Sequence, residues 1–113
     1  MATGRNSSGV KGVATLGKQE DYNEPVYDYL DMPKEHADFI IETCEGVLRM
    51  LNNGEKKFYF ECAEHIKRTL DEKFGGCYNV VVGRDFGAYF HYEAGACLQA
   101  WINQHCFLVF KHG

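Results

Sequence analysis

Near residue 76 the apolar positions in this chain change from helical to strand-like spacing. Before it, Ile40, Cys44, Val47, Leu48 and Leu51 fall at helical intervals, and so do Phe58, Cys62, Ile66, Leu70 and Phe74. The first stripe predicts a helix with Asp31 as its N-cap, Pro33 in its first turn and a stop at Asn52-Asn53-Gly54. The second predicts a helix over 55–73, ended by Gly75-Gly76. Ahead of both, residues 26–30 are rich in β-formers and predict a first strand. After residue 76, strands are expected over 78–82, 86–92, 97–103 and 106–111. The order is β-α-α-β-β-β-β. Segregated helices and strands define an α+β fold, with an antiparallel sheet and both helices on one face.

Residues 1–24 read differently. Gly, Ser, Asn and Lys dominate, and the sparse Val10, Val13, Ala14 and Leu16 cannot bury enough surface to offset the entropy of ordering. We expect a disordered N-terminal extension over 1–24 and one folded domain over 25–113, a size that suits a single core.

Composition removes several function classes. The net charge is −4, from 12 Lys+Arg against 16 Asp+Glu, so neither a nucleic-acid footprint nor a polybasic membrane face is expected. No apolar run approaches the roughly 18–20 residues of a membrane span, and no secretory h-region precedes residue 18. Five cysteines without a C-x-x-C pair predict reduced thiols and no zinc ribbon or redox motif.

Candidate chemistry is thin. Gly83-Arg84-Asp85-Phe86-Gly87 has glycines around a charged pair, but no Lys-Ser or Lys-Thr and no helix follow, so a turn or strand crossing explains it better than a phosphate loop. His36, His65, His91, His105 and His112 show no ligand spacing for a metal. A nucleophilic pair of Cys97 or Cys106 with His91 is conceivable on neighbouring strands, though no spacing selects it. A binder without cofactor or metal, and not an enzyme, is expected. The aromatic run Phe86, Gly87, Ala88, Tyr89, Phe90, His91 is the candidate surface, since an open strand edge accepts an extended peptide and alternate side chains select it. Tyr89 and Phe90 point to opposite faces; one packs inward and the other meets a neighbour.

Three stretches resemble the eight-kilodalton dynein light chain family. Residues 64–74, E-H-I-K-R-T-L-D-E-K-F, are similar to its second helix; residues 81–89, V-V-G-R-D-F-G-A-Y, resemble its V-G-R-N-F-G-S-Y stretch; and residues 108–113, L-V-F-K-H-G, resemble its terminal L-L-F-K-S-G. The resemblance covers about residues 26–113. It implies a strand-exchanged dimer, in which the strand after the G-R-N-F-G motif crosses to the partner's sheet. Two grooves at that interface would each take an extended segment of a dynein intermediate chain as an added strand, and bivalence would make the second capture intramolecular. Carried onto this chain, the partner-binding set is Phe60, Glu61, Arg84, Phe86, Gly87, Ala88, Tyr89, Phe90, His91, Trp101 and Leu108.

This chain departs from the family at several of those places. His91 and Tyr92 stand where Thr and His are usual, Phe60 where a lysine meets the peptide, and Cys97, Gln99 and Trp101 where other residues face the groove. Asn79 replaces an interface histidine and His112 a phosphorylatable serine. About five extra residues lie between the helices, around 52–57. These departures suggest a specialised light chain of an axonemal outer-arm dynein, a homodimer or a heterodimer with another dynein light chain, located in the cytoplasm, cytoskeleton and ciliary axoneme. A general dimerisation hub for non-motor partners is the alternative.

Overall fold

The computed structural model describes residues 22–112. The extension expected over 1–24 therefore lies almost wholly outside the described residues. Of its last positions, Tyr22 packs against the core and the Asn23 N–H donates to Asn103 Oδ1 at 3.0 Å.

Strand β1 (Val26–Asp31) is followed by helix α1 (Lys34–Asn52) and helix α2 (Tyr59–Phe74). Strands β2 (Tyr78–Gly83), β3 (Tyr92–Ile102) and β4 (His105–His112) complete one antiparallel sheet in the spatial order β1-β3-β4-β2. The α+β class is as expected. The helical stripes form the core as the spacing predicted: Ile40, Cys44, Val47 and Leu48 from α1 and Cys62, Ile66 and Leu70 from α2 meet Leu98, Ala100, Ile102, Phe107 and Val109 of the sheet. Each fully buried Ile, Leu or Phe in that layer stabilises the fold by about 1.5–3 kcal/mol relative to exposure.

Four boundaries differ from the sequence expectation, each for a local reason. Asp31 does not cap α1. It ends β1, its carboxylate accepts the Gly95 N–H at 3.2 Å, and the N-cap position falls to Pro33. Helix α2 starts at Tyr59 rather than at residue 55. Gly54 turns the chain with φ +89°, Asn53 Oδ1 accepts the Glu55 N–H, and the Glu61 carboxylate then accepts the N–H groups of Lys57 and Phe58 at 2.7 and 3.1 Å. That places the helix start where a side chain can satisfy free donors. Strand β3 is longer than expected, reaching back to Tyr92 across an irregularity before Cys97. Finally, the strand expected over 86–92 is not formed among the described residues. Only Tyr92 joins a ladder, as the first residue of β3, and residues 84–91 pair with no strand of their own sheet.

The β3–β4 hairpin turns through Asn103 and Gln104. Asn103 has φ +55°, a left-handed conformation that Asn tolerates better than most residues.

Candidate partner-binding edge and outer sheet face

Strand alternation sends half of the sheet's side chains away from the helices. Register places Cys97 opposite Phe110, Gln99 opposite Leu108 and Trp101 opposite Cys106, with Val81 on the far side of Leu108. Residues Phe107 and Val109, between them, face the helical core. Trp101 and Leu108 therefore share the outer face. Leu108 is nonetheless buried, while Val81 and Tyr29 remain exposed. The Trp101 indole is held by β1: its Nε1–H donates to Asp28 Oδ2 at 2.8 Å. Beside it, Gln99 Nε2 approaches the Cys106 sulfur at 3.7 Å.

Residues 84–91 border this face. The Phe86 ring lies against Gly83, where a Cβ would meet Phe86 Cδ2 at 3.4 Å. Phe90 packs on Phe110, with ring centroids 4.4 Å apart. Tyr89 is 96% exposed and meets the neighbouring His91 ring edge-on. Phe90 is thus the residue that packs inward and Tyr89 the one that faces outward. Arg84, Gly87, Ala88 and His91 are exposed. The positive charge of Arg84 reaches His105, whose pKa is lowered first by burial and then by that charge.

Phe60 and Glu61 sit elsewhere, in the first turn of α2. Phe60 is 69% exposed and stacks in parallel on Phe58 at 5.7 Å. Glu61 is occupied as the helix-capping acceptor just described. Its pKa is lowered by the bonds from the Lys57 and Phe58 N–H groups. Its chemistry is spent within its own helix.

Sequence reasoning passed over Asp28, Tyr29 and Phe110. Phe110 follows from strand alternation with Leu108. Asp28 and Tyr29 could not be assigned, because an irregularity in β1 between Tyr27 and Tyr29 resets its alternation. Tyr29 and Tyr92 join their hydroxyls, and that bond pushes the Tyr92 phenol pKa upward.

The outer face offers no activated thiol. Burial, with Asp31 adding to it, pushes the Cys97 thiol up to about 11, and burial also raises Cys106. A thiol so shifted ionises poorly at neutral pH. Among the described residues no cluster of three or more His, Cys, Asp or Glu is placed to hold a metal, and no helix is long and apolar enough to cross a membrane. A cleft of about 930 Å³ between β1 and α1, floored by Tyr27, Leu30, Met32, Ala37 and Ile41, contains none of the candidate residues.

The edge itself is defined by topology. Strand β2 has β4 on one side and no strand on the other. Along its open side, the Tyr78 N–H donates to Asp71 Oδ1 at 2.7 Å and the Tyr78 C=O accepts from Lys67 Nζ at 2.8 Å.

Two helices with a four-stranded antiparallel sheet form a fold that this chain shares with dynein light chain-like domains. The domain of this type in a calcium-binding protein of Fasciola hepatica superposes with a TM-score of 0.66 at 16% identity, covering 80% of this chain and 92% of that one. The corresponding domain of CsTAL3 gives 0.53 at 18% identity, over 77% and 90%. The sequence model of dynein light chain type 1 matches residues 24–112. Cytoplasmic dynein light chain 1 of Debaryomyces hansenii is 31% identical over 83% of this chain and 98% of its own length. Dynein axonemal light chain 4 of Mus musculus is 34% identical over 65% and 71%. The chain belongs to the dynein light chain family.

Proposed function

We propose that this protein is a non-catalytic light chain of a dynein motor, which dimerises by exchanging residues 84–91 between copies and holds intermediate-chain segments as added strands. The observation that carries the reading is paired: an aromatic segment bonds to no strand of its own sheet, and the strand that precedes it in the chain, β2, has an open edge. Unpaired edges are ordinarily protected, and a second copy supplies a strand for each. The outer face, with Trp101, Leu108 and Phe110, then floors the grooves at the dimer interface.

Similarity to both cytoplasmic and axonemal light chains supports a dynein subunit in the cytoplasm and cytoskeleton. We assign it to an axonemal outer arm because its groove residues His91, Tyr92, Gln99 and Trp101 depart from the common pattern. A promiscuous hub should retain common pockets. The test is cosedimentation of the full chain with purified dynein intermediate chains, alongside its mass by light scattering. A dimer that travels with an intermediate chain is expected; absence from every dynein fraction would sink the subunit role. Calorimetry with a Gln-containing peptide of the common family type separates the hub alternative, which requires tight capture by the wild-type chain.

A further inference from the structure

In an antiparallel ladder each residue sends its N–H and C=O to the same side, and successive residues alternate. Tyr78, opposite Lys111, sends both groups away from β4, to Asp71 and Lys67. By the same alternation Val80, opposite Val109, and Val82, opposite Phe107, also turn their backbone groups to the open side. The free edge of β2 therefore carries three outward pairs. The first is closed by α2. Among the described residues no hydrogen bond reaches the other two.

We infer that Lys67 and Asp71 are positioning residues for strand addition: by closing the outward backbone pair of Tyr78 they form a stop that confines a second copy's segment to Val80 and Val82. The inference rests on the strand-exchange reading above and adds the register to it. A stop is needed because the incoming segment does not fix its own register. A slip of one residue turns every side chain to the other face, but a slip of two preserves the alternation of Phe86, Ala88 and Phe90 against Gly87, Tyr89 and His91. Side-chain pattern alone leaves that second slip open.

The stop is also harder to displace than a neutral contact. Lys67 Nζ is bound at once by Asp71 Oδ2 at 2.9 Å, by the Tyr78 carbonyl, and by the Cys77 sulfur at 3.3 Å. Bonds to charged groups are roughly twice as strong as neutral ones, so an amide from an added strand is a poor competitor for Tyr78. If the pair only tethered the turn between α2 and β2, its removal would lower stability and leave the register of an added strand untouched.

The experiment is isotope-filtered NMR on dimers mixed from labelled and unlabelled full-length chains, which reads which residues of 86–91 lie opposite Val80 and Val82. Wild type and a conservative Lys67→Arg, Asp71→Asn variant, which keeps a donor and an acceptor for Tyr78, should give one register. A Lys67→Met, Asp71→Ala variant should add a second register, shifted two residues toward Tyr78 and seen as a second set of cross-peaks. If that variant does not fold, Lys67→Met alone opens the Tyr78 carbonyl and should show the same slip at lower population. One identical register in all folded variants overturns the inference while leaving strand exchange intact. A wild-type chain that stays monomeric by mass at every concentration overturns strand exchange, and this inference with it.

Discussion

On the helix-facing side of the sheet, Leu98, Ala100, Phe107 and Val109 are buried against α1 and α2 by residues of the same chain. On the outer side the same two strands present Gln99, Trp101, Leu108 and Phe110, and their cover comes from a tryptophan tied to Asp28 and an irregular segment over 84–91. The inner face is completed by helices whose pattern is encoded a few residues away. The outer face ends at an open edge. One sheet therefore has one face closed by helices of its own chain and another that is not, because strand alternation lets each face evolve against a different neighbour.

The comparison breaks most sharply at a buried ring. Phe107→Ala removes a fully buried side chain from the inner face and should cost about 3–5 kcal/mol in urea unfolding of the chain. A loss under 1 kcal/mol would mean that the inner face is not the closed core described here.

A pair of proline substitutions one residue apart sharpens it next. Val81 turns its N–H toward β4, whereas Val80 turns its N–H to the open side. Val81→Pro removes a ladder bond, leaves its partner carbonyl unpaired and should cost about 1–3 kcal/mol by chemical denaturation. Val80→Pro should leave the fold of a single chain near its wild-type stability and instead abolish dimerisation in sedimentation. Equal destabilisation by the two prolines would refute the assignment of backbone groups to the two sides of β2.

Tyr89→Ala separates stability from association at a single exposed ring. A residue 96% exposed contributes little to the fold, so the unfolding free energy should stay within about 0.5 kcal/mol of wild type. Weaker dimerisation in the same sample is the expected effect. An unchanged dimer would remove Tyr89 from the interface.

Which parts of this were legible in the sequence follows from how local each signal is. The stripe Ile40, Cys44, Val47, Leu48 and the stripe Cys62, Ile66, Leu70 identified both helices, because burial on one face repeats every turn within a single segment. Residues 55–58 were read as helix since nothing in the apolar spacing reports the Glu61 carboxylate reaching back to Lys57 and Phe58. The aromatic alternation over 86–92 was legible as strand-like, but alternation states only that two faces differ. It does not say which strand supplies the ladder, and among the described residues only Tyr92 has one. Phe60, Glu61, Trp101 and Leu108 were all grouped by family resemblance; strand register puts Trp101 and Leu108 on the outer face, whereas Phe60 and Glu61 lie in the first turn of α2. Lys67 and Asp71 drew no notice in the sequence, because the partner they share, the backbone of Tyr78, carries no side-chain signature.

The smallest expected effect is electrostatic and separates the two ends of β2. At the Gly83 end, burial and the charge of Arg84 lower the pKa of His105, and burial followed by Lys56 lowers that of His65. The unfolded chain then takes up protons near the ordinary histidine value of 6.5, while the folded chain resists until lower pH. The stabilisation these neutral histidines give is thus present above pH 6.5 and is lost as pH falls below it toward the folded values. At the Tyr78 end, burial works to raise the Asp71 pKa, but the Tyr78 N–H and Lys67 outweigh it and hold the carboxyl below its ordinary 3.8. Its contribution is therefore retained through that whole range and disappears only in stronger acid. Thermal melts from pH 7.5 to 5 should show a shallow fall in Tm that His105→Gln flattens and Asp71→Asn does not. A slope unaffected by His105→Gln would show that its burial beside Arg84 does not govern the acid response of this end of the sheet.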